Sequence, residues 1–274
     1  VDHAIAKNAD GSATVRVGEL ELRHRMRWVV ELTLRPGSSC VEETVRLVNR
    51  THVANSFLHF ANIAVHANPD YQVLFPPDAH WVTQHGKREF ARWPVADSIY
   101  NGIDFRRGVD VSWWTNHPSP ISMFCWGSQM DFVGGYDHGR AAGFVHVSDR
   151  HTSPGKKFFT WGAGEAGRMW DRALTDDDGP YIELMAGSYS DNQPDYSWIR
   201  PYQTKVAESF WYPVAKIGGV KNANRDAAVN LETTAAGTAR IGVAATSAHR
   251  DLAIELSCPT GLLFRARTAA GPDR

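Results

Sequence analysis

Residues 13–36, ATVRVGELELRHRMRWVVELTLRP, decide the fold class. Apolar side chains alternate with polar ones through Val15, Val17, Leu20 and Leu22, and again through Val30, Leu32 and Leu34. A period of two belongs to a strand with one buried face, whereas a helix repeats every 3.6 residues. Pro36-Gly37-Ser38-Ser39 breaks the run, and CVEETVRLVNRT (40–51) resumes it with Val41, Val45 and Leu47. The chain therefore begins as a meander of half-buried antiparallel strands.

Working outward, FLHFANIAVHANPDYQVLFPP (57–77) predicts a more continuously apolar strand, buried on both faces and ending at Asn68-Pro69-Asp70. Long polar and aromatic loops follow to about Pro120. Residues 121–139, 141–151 and 156–162 read as short strands separated by Gly-Gly, His-Gly and Ser-Pro-Gly signals. Only GEAGRMWDRALTDDDG (164–179) has the pattern of a helix. Beyond Pro213 the texture becomes rich in Ala, Thr and Val, without Trp, and residues 228–257 supply further strands. The expected architecture is all-β, a large antiparallel β-sandwich with few short helices. Residues 1–214 form its body, and residues 215–274 are closing strands packed on the same sandwich.

Charge excludes some partners. With 29 Lys+Arg against 30 Asp+Glu and no basic run, nothing marks a surface for nucleic acid. No apolar run reaches the roughly 20 residues that cross a bilayer, and the first residues lack the pattern of a leader, so no membrane partner is expected. A soluble chain follows, cytoplasmic slightly favoured. Cys40, Cys125 and Cys258 are far apart and read as buried thiols. Ten Trp, twelve Phe and eight Tyr suit either a large core or stacking on the C–H face of a sugar.

The chemistry gathers in residues 181–213, where eight aromatic rings share thirty-three positions with four carboxylates, Glu183, Asp191, Asp195 and Glu208. Alternation through Tyr181, Glu183 and Met185 sends the carboxylate to the face opposite Ile182 and Leu184. A carboxylate held among rings loses hydration, its pKa rises, and it becomes a general acid or base near neutrality. Asp191, Asn192, Gln193 and Asp195 match vicinal hydroxyls, with Tyr71, Trp161, Tyr181 and Trp198 as ring contacts. A structural ion pair with an arginine is the competing reading of Glu183.

Between residues 59 and 66, alternation puts His59 on one face and Asn62 with His66 on the other. Farther along, Asp137, His138 and the Lys156-Lys157 pair are placed to bind hydroxyls or to pair with acids. His146 and His151 are further candidates for substrate contact; with Asp149 they do not converge on one strand face, so neither a metal nor another cofactor is expected.

FANIAVHANPDYQVLFPPD, residues 135–205 from GYDHGR to RPYQTK, and ESFWYPV together resemble a bacterial domain-of-unknown-function family of the galactose mutarotase-like superfamily, often followed by tetratricopeptide repeats. The resemblance covers roughly Ala13 to Phe264. It implies a supersandwich with a saccharide on a concave sheet face, and helical repeats as a possible neighbour in a longer protein. Aldose epimerases carry a base in an I-E-P strand and an acid in an N-H-x-Y-F-N strand. Ile182-Glu183-Leu184 is similar to the first and SFLHFANIAVH to the second, with His59 or His66 as the analogue. A substrate-holding Asp is then Asp137 or Asp131, and the first epimerase His falls before Val1. The resemblance implies a glycosidase-like hydrolase or sugar epimerase, with Glu183 as base or nucleophile and His66, Asp191, Asp195 or Glu208 as partner. The alternative is a non-catalytic sugar-binding or assembly module.

Overall fold

The structure, a computed structural model, describes residues 1–85, 88–189 and 196–272. Four strands open the chain: β1 (Asp2–Lys7), β2 (Ala13–Leu20), β3 (Met26–Leu34) and β4 (Val41–Asn49). They form the predicted meander, each antiparallel to the last, with Val15 opposite Leu32 and Val30 opposite Val45. Next come β5 (Phe60–His66), β6 (Tyr71–Leu74), β7 (Trp81–Thr83), β8 (Phe90–Arg92), β9 (Ile121–Trp126), β10 (Phe132–Asp137), β11 (Ala142–Ser148) and β12 (Gly155–Thr160). Helix α1 (Glu165–Leu174) leads to β13 (Tyr181–Gly187) and the long β14 (Thr204–Ala215).

Two sheets carry the sandwich. The larger has eight strands in the order β1-β2-β3-β4-β14-β11-β10-β6, and the smaller six, β5-β13-β12-β9-β7-β8. Their facing sides share one core, in which Val73 and Val133 of the larger sheet join Phe158, Ile182, Leu184, Ile121 and Met123 of the smaller. Trp93, Tyr100, Phe105 and Trp114 enter this core from the loop region before β9. The buried Trp ring of residue 114 keeps its donor satisfied by Thr160 Oγ1 at 3.1 Å, and that of Trp211 donates to Glu43 at 2.9 Å. These indoles are core, as the first of the two readings of the aromatic content allowed.

Residues 57–77 break at Asn68-Pro69-Asp70 as expected but differ from expectation in burial. They make two strands in different sheets, because Asn68 closes a turn: the Asp70 amide donates to its side chain at 2.8 Å and the Tyr71 amide to its carbonyl at 3.0 Å. Nor is β5 buried on both sides; it is an edge strand, and Asn62, Ala64 and His66 are exposed.

A second core covers the outer side of the larger sheet. Phe132, Tyr136, Val145, Tyr212 and Val214 pack against Ile217, Val220 and Ala228, which precede or belong to the three-stranded sheet Asn222–Ala223, Ala227–Thr233 and Ala239–Ala245. Polar groups pin it as well, with Gly218 N donating to Tyr136 Oη at 3.0 Å and Tyr212 Oη to the Asn224 carbonyl at 2.7 Å. The last hairpin, His249–Cys258 with Gly261–Ala270, stays largely exposed outside that core. Cys40 and Cys125 are buried thiols, pushed up by burial to about 11 and about 12, while Cys258 is half-buried.

One glycine is fixed by close packing. Gly135 in β10 lies under Tyr71, and a Cβ at that position would collide with the phenol ring. Tyr71 is itself 4% exposed and has no room to swing away. Gly135→Ala is expected to destabilise the protein by about 1–3 kcal/mol, the usual cost of overpacking, as measured by urea denaturation. A midpoint equal to wild type would show that the sheet yields there.

Candidate active site

The parity of β12 and β13 builds the site. Ile182 and Leu184 point into the core and are at most 1% exposed, so Glu183 and Met185 project from the outer side of the smaller sheet. On β12, Phe158 takes the inward position, which sends Lys157 and Phe159 outward; the pairing sets Lys157 against Met185 and Phe159 against Glu183. On the other flank Glu183 faces Ala64 of β5, with Asn62 one pair along. From β9 come Ser122, opposite Phe159, and Phe124, opposite Lys157. His85 enters just beyond β7.

Contacts tie these groups together. Asn62 Nδ2 donates to Glu183 Oε2 at 3.2 Å. Lys157 Nζ lies 3.3 Å from His85 Nε2, and His85 Nδ1 lies 2.7 Å from Ser122 Oγ. An ammonium only donates, so with Lys157 charged the Nε2 atom is the acceptor and Nδ1–H donates to the serine. Lys157 Nζ stands 4.7 Å over the ring of Phe124 and 6.0 Å from that of Phe60. Beside the cluster, Trp161 Nε1 donates to Tyr181 Oη at 3.0 Å and stacks on Trp170 of α1 at 4.7 Å.

Desolvation sets the protonation states. It raises the Glu183 carboxyl, an effect the Lys157 charge partly reverses. It lowers Lys157 to about 8, with Glu183 opposing. His85 is also lowered, by burial first and by the lysine charge second. An acid pushed up and an amine pushed down in one cluster bring both groups toward the pH where protons are exchanged. Among the described residues no arginine pairs with Glu183, whose partners are Asn62 and the Lys157 charge.

The other expected site residues scatter. His66 is on the face of Glu183 but sits opposite Tyr181 and is exposed. His59 turns to the inner side, where burial lowers its pKa, and it lines a groove instead. Glu208 cannot partner Glu183, because it belongs to the larger sheet and points to solvent opposite Thr44. Asp137 is a structural carboxylate, accepting from Asn68 Nδ2 at 2.6 Å and from the Arg140 amide at 2.8 Å. Asp131 likewise holds Arg150, at 3.3 Å. His138 bonds Gln72 at 3.0 Å and packs on Trp113 and Tyr136. His146 is buried against Trp211, ring centroids 4.2 Å apart.

Lys156 has the wrong parity for the cluster and lies inside the sandwich, 3% exposed. Tyr71 is buried under Gly135, and Trp198, 64% exposed, stands on the short pair Ser197–Ile199 with Asn55–Phe57. His151 is exposed in the turn before β12. Asp191, Asn192, Gln193 and Asp195 lie outside the described residues. Ser122 and His85 are the groups that sequence reading did not assign, and Lys157 was expected only together with Lys156. Strand alternation on 156–162, anchored on Phe158, is the signal that separates Lys157 from Lys156.

A groove opens elsewhere. On the inner side of β3, β4 and β14, beyond the area covered by the smaller sheet, two cavities of about 340 and 470 Å³ flank Phe57. Both share a floor of Val45 and Leu47; Trp28 and His59 line one, His151 and Lys205 the other.

Residues 1–214 match the family described as domain of unknown function (DUF5107), and residues 222–274 match the second domain of YphG-like proteins. Among solved structures, the chain is similar to a TPR-domain containing protein from Parabacteroides distasonis ATCC 8503, at 23% identity and a TM-score of 0.64, over 78% of this chain and 34% of that one. It is also similar to a putative aldose 1-epimerase from Klebsiella pneumoniae subsp. pneumoniae MGH 78578, at 12% identity and a TM-score of 0.54, over 77% of this chain and 53% of that one. A putative aldose 1-epimerase from Escherichia coli K12 matches at 10% identity and a TM-score of 0.51, over 78% and 69% respectively. The likeness is one of fold, an antiparallel β-sandwich, and the chain spans about a third to a half of the first two proteins. Among the described residues no helix is long and apolar enough to cross a membrane.

The coupling of Glu183 and Lys157 has a measurable sign. In ¹³C NMR the Lys157 Cε signal is expected to titrate at about 8, and Glu183→Gln to move that midpoint lower, since the lost carboxylate was favouring the ammonium. Lys157 should also add stability as pH rises from about 8 toward the ordinary lysine value of 10.5, because there the unfolded chain holds a proton that the native amine lacks. The contribution is read as the difference between wild type and Lys157→Met, because burial also lowers Lys156 and raises Cys40 and Cys125.

Proposed function

Since the chain belongs to the domain-of-unknown-function family DUF5107, we propose a function from its own side chains: a carbohydrate-active enzyme working by acid/base catalysis on a reducing sugar. The observation that carries this is the opposed displacement of Glu183 and Lys157 within one poorly hydrated cluster. Groups displaced in opposite directions side by side are common where protons are transferred, whereas Glu43 and Lys156 are each displaced chiefly by burial inside the sandwich.

The chemistry favours epimerase-like ring opening. Glu183 as carboxylate removes the proton of the anomeric hydroxyl, and the Lys157 ammonium delivers one to the ring oxygen as the C–O bond breaks. Rotation about the exposed carbonyl carbon and reversal of both transfers give the other anomer. His85, held by Ser122, takes or returns the lysine proton through its Nε2 atom. Hydrolysis by a carboxyl pair requires two acids about 5–9.5 Å apart, and among the described residues Glu183 is the single acid in contact with this cluster. The rings of Phe60, Phe159 and Trp161 offer apolar surface for the C–H face of the sugar.

The groove beside Phe57 favours a second reading, a binding module that holds a saccharide over Trp28 and Val30 without converting it. The similar Parabacteroides chain, a TPR-domain containing protein, fits a modular use of the fold.

Polarimetry on a panel of freshly dissolved aldoses separates the two. Glu183→Gln is expected to lower the anomerisation rate by about 10²–10⁴-fold, the range for a positioned acid or base, while Phe57→Ser leaves it unchanged. Binding without rate enhancement, lost in Phe57→Ser and kept in Glu183→Gln, would replace the enzyme with the module.

A further inference from the structure

We propose that Lys157 is also a covalent nucleophile, capturing the open-chain carbonyl of a sugar as an imine. The inference rests on the acid/base reading above and extends it to substrates that react as aldehydes.

Three features of the geometry lead there. First, the amine is caged rather than solvated: Lys157 is 7% exposed, over Phe124 and near Phe60. Such a setting disfavours the ammonium and frees the nitrogen lone pair, as in lysines that form Schiff bases. Second, its nearest polar neighbour is an imidazole that accepts its proton, already oriented by Ser122. Third, the cluster lies at the edge of the protein surface, since His85 and Asn62, which flank the amine and the carboxylate, are both exposed. The neighbouring Lys156 shares the loss of water but not the imidazole or the exposed flank, being inside the sandwich with the Pro154 carbonyl at 3.5 Å.

Ring opening prepares the step. When Lys157 has given its proton to the ring oxygen and Glu183 has taken one from the anomeric hydroxyl, a neutral amine, a carboxylic acid and an aldehyde stand together. The nitrogen lone pair attacks the carbonyl carbon, the C=O π pair moves to oxygen, and a proton passes from nitrogen to that oxygen to give a carbinolamine. Glu183 then protonates the hydroxyl, which leaves as water while the C=N bond forms. Glu183 ends as carboxylate and the nitrogen as a protonated imine, so charge and atoms balance with no further reactant. Addition of water reverses the sequence and frees the sugar.

The test uses the full chain with glycolaldehyde and sodium cyanoborohydride, which reduces imines to stable amines, followed by peptide mass mapping. Lys157 is expected to be alkylated about tenfold or more faster than the exposed Lys216 and Lys221, as a desolvated amine should be. Its labelling rate should rise to half of its plateau at about pH 8, a profile that an exposed lysine does not show. Lys157→Arg, checked for folding by near-ultraviolet circular dichroism, should lose the fast site and leave the slow ones. Labelling of Lys157 no faster than that of Lys216 and Lys221 overturns the proposal. Anomerisation without fast labelling overturns it too and leaves the acid/base reading intact, whereas fast labelling without anomerisation supports the nucleophile and removes that reading.

Discussion

The inward packing of Phe158, Ile182 and Leu184 is the constraint from which the rest of the site follows. These side chains are buried to within 1% of completely, and their removal from water stabilises the sandwich by roughly 1.5–3 kcal/mol each. Because a strand alternates strictly, fixing them inward fixes Lys157, Phe159, Glu183 and Met185 outward. A slip of one residue in β12 would bring Lys156 to the surface and bury Lys157, and it would also expel Phe158 from the core. Chemistry at the outer face is thus secured by the least polar part of the molecule.

Electrostatics then follow from where those strands lie. Glu183 and Lys157 occupy neighbouring strands beside Phe60, Phe124 and Phe159, so each loses water without gaining full compensation from the other. Asn62 and His85 provide hydrogen bonds, but from the exposed rim. The pair is held at intermediate hydration, dry enough to shift both groups. Glu43, by contrast, is buried with a single indole partner and is raised by burial within a closed interior. It is a structural acid, since nothing can approach it.

The two sheets differ in extent, and that difference makes the groove. β1 to β4 run past the area covered by the smaller sheet, leaving Val15, Leu32 and Leu34 more than a third exposed. Asn55–Phe57, paired with Ser197–Ile199, folds over part of this surface and divides it at Phe57. On the opposite side the three-stranded sheet of residues 222–245 seals the larger sheet completely enough to bury Tyr136 and Tyr212. The larger sheet is therefore covered on its outer side over β10, β11 and the end of β14, and partly open on its inner one.

Local pattern carried a great deal. Alternation in residues 13–51 gave the meander and its faces, Asn68-Pro69-Asp70 gave the break, and the glycine-bounded segment at 164–179 gave the one α-helix among the described residues. The direction of Glu183 was readable too, because Ile182 and Leu184 flank it. What local pattern did not carry was who stands beside whom. His59, Asp137, His146 and Glu208 have suitable chemistry but belong to other faces or the other sheet, and His85 and Ser122 join Lys157 from segments 72 and 35 positions away in sequence. Periodicity is a property of one strand and is fixed by its own backbone geometry. Neighbourhood is set by which strands exchange hydrogen bonds and which surfaces bury each other, and those choices are made by the whole chain at once.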